Sequence, residues 1–104
     1  MRIDWAPHAL QDRVAIFDYI EADNPRAAVV TDLRIKNQVE TLARFPELSR
    51  PGRVSGTRKL VISRTPYIAV YSIVNDTIRI LRVLHGAREW PEEFSEQSEA
   101  DDRP

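Results

Sequence analysis

Cysteine is missing from this 104-residue chain, which excludes disulfides and thiol chemistry and agrees with a reducing compartment. No stretch nears the ~20 consecutive apolar residues of a membrane span. The opening Met1-Arg2-Ile3-Asp4-Trp5 holds no apolar run of signal-peptide length. A soluble, cytoplasmic protein is expected, with no membrane partner. Glycine occurs only as Gly52, Gly56 and Gly86, too sparsely for a phosphate-cradling loop. With His8 and His85 the only histidines, there is no metal-ligand spacing and no Ser–His–Asp order. No metal or cofactor is expected. Lysine is nearly absent too: of 15 basic residues only Lys36 and Lys59 are lysines. Arginine suits planar, two-pronged contacts to carboxylate or phosphate.

What is present is a charge asymmetry hidden in a net charge of −1. After Arg88 the chain carries seven acids and one base, leaving nine acids and 14 bases in residues 1–88. The body is thus +5 and the tail −6. A basic body attracts nucleic acid or an acidic protein; the plainer reading is a solvated surface with ordinary ion pairs. The length fits one domain able to bury its own core.

The pattern predicts a short strand over Arg2–Trp5, then a helix from about His8 to Ala22, with Pro7 suited to its first turn. On a helical wheel Ala9, Leu10, Val14, Ile16, Phe17 and Ile20 form one broad apolar face. Asn24-Pro25 is an N-cap followed by a first helical residue. A second helix should run to about Phe45, with Ala28, Ile35, Val39, Leu42 and Ala43 inward. Residues Pro46–Thr57 read as a loop. Strands follow at Arg58–Ser63, Tyr67–Val74 and Thr77–His85, the last two joined by an Asn75-Asp76 type I′ turn. The expected fold is α+β in the order β-α-α-β-β-β, a helical hairpin packed on one face of a small antiparallel sheet. Residues 1–94 form the domain, and 95–104 an acidic, disordered tail.

The C-terminal half carries a family resemblance. Pro51-Gly52-Arg53-Val54-Ser55-Gly56-Thr57-Arg58-Lys59-Leu60 resembles the lead into the sheet of ParE-like toxins. Tyr67-Ile68-Ala69-Val70-Tyr71 resembles their central strand, and Ile80 to Arg88, with Trp90-Pro91 following, their ending. The chain is identified as a member of the RelE/ParE superfamily of type II toxin–antitoxin toxins, closer to the ParE-like branch. The resemblance implies a growth-inhibiting toxin that binds an essential target, DNA gyrase, without being an enzyme. It also implies a cognate antitoxin, acidic and partly disordered, in a hetero-oligomer with the toxin. The alternative is a RelE-like, metal-independent endoribonuclease acting on messenger RNA at the ribosome. That reading draws on Lys59, Arg82, His85 and Arg88 for cations and proton transfer. Against it, nucleases of this kind place arginine where Ile68 stands, a second lysine where Val61 stands, and tyrosine where Phe94 stands.

Each candidate has a plainer reading. His85 is a proton carrier or a turn-fixing hydrogen-bonder. In a regular strand Arg82 and His85 point to opposite faces and cannot share a site unless a bulge intervenes. Either Arg79 or Arg82 should lay its stem on the core and reach a carboxylate. Arg58, Arg64 and Arg88 flank strands and could hold phosphate or an acidic antitoxin segment. Trp90 is an interface candidate, Trp5 a core residue and His8 a surface one. Tyr19 and Val30, on the outer side of the helical hairpin, could seat an antitoxin helix, while a sheet edge could accept an added strand. A third reading, a nucleic-acid-binding module, would need Tyr67 and Tyr71 on the open sheet face.

Overall fold

The computed structural model describes residues 1–47, 50–51 and 55–86. Strand β1 (Arg2–Trp5) leads into helices α1 (Pro7–Glu21) and α2 (Pro25–Thr41). Strands β2 (Arg50–Pro51), β3 (Arg58–Val61), β4 (Tyr67–Val74) and β5 (Thr77–His85) follow. The fold is the expected α+β arrangement, with a two-residue strand, β2, added within the predicted loop. The domain boundary at residue 94 and the acidic tail over 95–104 lie outside the described residues.

Local chemistry sets the helix starts. Pro7 and Pro25 each occupy a first-turn position, where a missing N–H costs nothing. The Asn24 side chain accepts the Ala27 N–H at 3.1 Å, satisfying one of the donors a helix start leaves unpaired. The β4–β5 turn differs from expectation. Of its two residues only Asn75 is left-handed, at φ 56°, whereas type I′ needs both.

The sheet order is β1-β5-β4-β3-β2. The pairs β2–β3, β3–β4 and β4–β5 are antiparallel. β1 runs parallel to β5, with Arg2 opposite Thr77 and Trp5 opposite Ile80, so the sheet is mixed rather than antiparallel throughout as expected.

Between helices and sheet lies the main core, where Ile35, Val39 and Leu42 of the α2 region meet Tyr71, Ile78 and Ile80, all fully buried. Burying a large aliphatic side chain contributes about 1.5–3 kcal/mol, so these residues hold that segment firmly. α1 supplies only Ala9 as a fully buried residue, with Ile16 and Ile20 partly buried against the core. Its predicted inward face is too broad for the surface available. Leu10 and Val14 remain 46% and 60% exposed, because the sheet and α2 cover only the Ala9–Ile16–Ile20 side. Polar ties make up part of the difference. Arg13 on α1 grips Asp32 on α2 with two hydrogen bonds of 2.9 and 2.8 Å. Its guanidinium also lies 4.6 Å from the centre of the Trp5 ring. Trp5 packs against the core, and His8 is exposed, as expected.

Candidate functional site

Beyond Ile80, β5 has no β1 beside it, because the chain leaves β1 at Trp5 and turns into α1. The Val83 N–H on that edge needs another acceptor. Asp12 of α1 supplies it: Oδ2 accepts the Val83 N–H at 2.8 Å. Arg82 Nε donates to the same oxygen at 2.8 Å and Nη2 to Oδ1 at 3.1 Å. The Asp12 and Arg82 side chains are 16% and 21% exposed, so water screens this two-pronged pair only in part.

A bulge makes the arrangement possible. Arg82 lies opposite Val70 and Ile80 opposite Tyr71, leaving Leu81 without a partner. The period of two breaks there. Ile78, Ile80 and Val83 all pack under the helices, while Leu81 and Leu84 join Ile68 and Val70 on the other face. Strict alternation from Ile80 would put Leu84 under the helices and Val83 on the other face; the bulge exchanges them and leaves Leu81 where alternation puts it. The bulge falls before Arg82 rather than between it and His85, so the two still alternate along the strand; they line one cleft because the Arg82 side chain turns round the unpaired edge to Asp12. Each strand arginine also reaches a carboxylate, Arg82 to Asp12 and Arg79 to Asp4.

The cleft holds about 840 Å³, within the range of small-ligand sites. It opens between the C-terminal half of α1, the β3–β4 turn and the end of β5, and Tyr19, Arg64, Tyr67, Arg82 and His85 all line it. Tyr67 forms the floor at 7% exposure. Its ring meets His85 edge-on, with centroids 5.5 Å apart and planes at 81°. Burial raises the Tyr67 phenol above its ordinary pKa, and nearby Tyr19 adds to the effect, so it stays a neutral hydroxyl at physiological pH. Gly86 closes the end: its N–H donates to the Pro66 carbonyl at 2.6 Å, and a Cβ there would lie 3.1 Å from that oxygen.

The β3–β4 turn is fastened from several sides. Thr65 Oγ1 donates to the Ile62 carbonyl at 2.9 Å and accepts the Tyr67 N–H at 3.0 Å. Gln38 on α2 accepts the Ser63 N–H at 2.8 Å and donates to the Ser63 carbonyl at 3.1 Å. Arg34 donates to the Arg64 carbonyl at 3.2 Å. Arg64 itself is left-handed, at φ 69°, a conformation few non-glycine residues adopt unless their surroundings impose it.

Other candidates fall elsewhere. Lys59 sits opposite Val70, on the face away from the helices, and does not join His85. On that face Val61, Ile68 and Leu84 form a row across three strands. Tyr67 and Tyr71 face the helices, so the open-face stacking platform required by the third reading is not formed from them. Arg58 lies 3.4 Å from Glu47. Tyr19 and Val30 are exposed, as expected. Arg88, Trp90 and Phe94 lie outside the described residues. Sequence reasoning missed Asp12. Its signal was an acid one turn before Ile16, facing a strand whose only polar side chain between Ile80 and Leu84 is Arg82.

The helical hairpin presents a second feature. Leu10, Val14 and Phe17 line a shallow hollow of about 340 Å³ bounded by Arg13 and Asp32. Val29 and Leu33 of α2 are also exposed.

A family model for the ParE toxin of the type II toxin–antitoxin system parDE matches residues 3–90. The Sinorhizobium fredii protein Y4kP, named as a toxin, is 43% identical over 91 residues, covering 88% of this chain and 94% of its own. Toxin RelE2 of Caulobacter vibrioides is 36% identical over 87 residues, covering 84% of this chain and 97% of its own. Among solved structures, a chain of the chromosomal ParDE system of P. aeruginosa superposes with a TM-score of 0.76 at 30% identity. It covers 82% of this chain and 95% of that one.

Proposed function

The chain belongs to the ParE toxin family of type II toxin–antitoxin systems, and from that premise we propose that it arrests growth by binding the gyrase–DNA complex rather than by cutting RNA. The observation that carries this reading is the apolar row Val61–Ile68–Leu84 on the sheet face away from the helices. Metal-independent RNA cleavage needs cations for the charge on the phosphorane and a proton carrier within reach of the same phosphate. Here Lys59 is on one face, His85 is on the other, and Asp12 occupies Arg82. Among the described residues of the alternative reading, Lys59 lies away from the cleft that Arg82 and His85 line.

The antitoxin docks, in this proposal, on the bare side of the helical hairpin, where Leu10, Val14, Val29 and Leu33 are apolar and exposed. An amphipathic helix fits such a face. The basic body steers an acidic partner toward it. Arg58, Arg64, Arg88 and Trp90 are proposed contacts at the margins, and Tyr19 and Val30 proposed contacts on the hairpin.

Purified gyrase assayed for supercoiling with micromolar toxin tests the target. Inhibition relieved by antitoxin is expected. No inhibition, together with codon-phased messenger cleavage lost in His85→Ala, would transfer the function to the ribonuclease. Val14→Asp, at a 60% exposed position, should weaken the antitoxin complex at least tenfold, since an uncompensated charge is buried on docking. Unchanged affinity in calorimetry would remove the hairpin from the interface.

A further inference from the structure

The cleft between α1 and the end of β5 has the Tyr67 phenol on its wall. Tyr67 is 7% exposed, and among the described residues its hydroxyl has no hydrogen-bond partner. The hydroxyl opens on the cleft, where it can donate to a group that enters. Two exposed side chains line the same cleft. The Arg64 guanidinium has no ion pair among the described residues, although its backbone is fixed in the left-handed region by the fastened turn. Tyr19, at the opposite rim, is 79% exposed, an aromatic ring with no place in the core.

We propose that this cleft binds a nucleotide unit of a single-stranded nucleic acid, with the base against the Tyr19 ring and the phosphate between Arg64 and the Tyr67 hydroxyl. Base faces stack on aromatic side chains whatever the sequence. A phosphate oxygen accepts both a guanidinium N–H and a neutral phenol O–H. Arg82 cannot take the phosphate, since Asp12 already occupies it, which leaves Arg64 as the cation that anchors it. An acidic peptide would use Arg64 and Tyr67 as well. A carboxylate side chain, however, leaves most of the 840 Å³ empty and gives Tyr19 nothing to stack on. The inference is independent of the gyrase reading, because binding to a bare oligonucleotide requires neither gyrase nor antitoxin.

The test is fluorescence anisotropy of labelled oligothymidylate and oligouridylate titrated with the full chain at low salt. Oligoglutamate serves as a competitor. Four variants are compared: Tyr19→Ala, Arg64→Gln, Tyr67→Phe and Arg44→Gln, the last at an exposed arginine beyond α2 and outside the cleft. Tyr19→Ala should weaken binding about tenfold and Tyr67→Phe about fivefold. Arg64→Gln should reduce the logarithmic salt slope by about 0.7, the share of one single-strand phosphate. Arg44→Gln should change little, and circular dichroism should show all four variants folded. The relative strength of the two oligonucleotides reports whether the 2′-hydroxyl is read. Three results would overturn the proposal: no oligonucleotide binding at low salt, equal weakening by Arg44→Gln and Arg64→Gln, or binding of oligoglutamate alone.

Discussion

The two halves of β5 are held in different ways. From Thr77 to Ile80 the strand lies between β1 and β4, with regular register on both sides. From Leu81 to His85 the β1 side is empty of strand, a bulge resets the alternation, and a single carboxylate from α1 stands in for a neighbouring backbone. The first half is scaffold. The second half lines the cleft. A strand that gives up one partner exposes its edge to chemistry, and the fold offsets the lost ladder with a half-buried charged pair.

If that contrast is right, removing the substitute should cost more than removing an ordinary ion pair on the regular half. Asp12→Ala leaves the Val83 N–H without its acceptor and removes the two-pronged contact to Arg82, and should lower stability by about 2–4 kcal/mol. Asp4→Ala removes only an exposed contact to Arg79 and should cost about 0–1 kcal/mol. Urea denaturation of both variants measures the difference, and equal losses would abolish the contrast between the halves. In Asp12→Ala, amide exchange at Val83 should also quicken while that at Ile78 follows global unfolding.

Gly86→Ala probes the far end of the irregular half. Its Cβ would press on the Pro66 carbonyl at 3.1 Å, and the neighbour is backbone. A loss of about 1–2 kcal/mol is expected, with the Tyr67–His85 ring contact disturbed. An unchanged urea midpoint would mean that the turn yields more easily than its many fastenings imply.

The smallest effect concerns pH. The Tyr67 phenol is raised in the folded state, so the unfolded chain releases that proton first as the solution becomes alkaline. Its contribution to stability is complete below pH ~10, the ordinary tyrosine value, and is lost as pH climbs toward the folded-state value. Tyr67→Phe should therefore show a shallower alkaline decline in melting temperature than the parent chain. Identical slopes would remove Tyr67 as the cause.

The regular half was legible in the sequence and the irregular half was not. Thr77–His85 and Tyr67–Val74 were bounded by turn residues and rich in β-branched side chains, and both bounds hold. Asn24-Pro25 announced α2. The bulge had no such marker: Leu81, Arg82 and Val83 all suit a strand, and only pairing with Val70 and Tyr71 shows which one is extra. Tyr19, Arg64, Arg82 and His85 were each named as candidates, but that Arg82 joins the cleft depends on its side chain turning round the unpaired edge to Asp12. Leu10 and Val14 failed for a different reason. A helical wheel gives the direction of an apolar face, not how much partner surface is available to cover it.

The parallel pairing of β1 with β5 also fixes an order of events. Arg2 finds its partner at Thr77, so β1 has no strand beside it until nearly all the described chain has been made. Contacts spanning so much sequence close late, because the intervening loop must first surrender its freedom. β1 is made well before the strand it pairs with and must wait for it, and Asp12, a few residues behind it, cannot close the cleft before β5 is made.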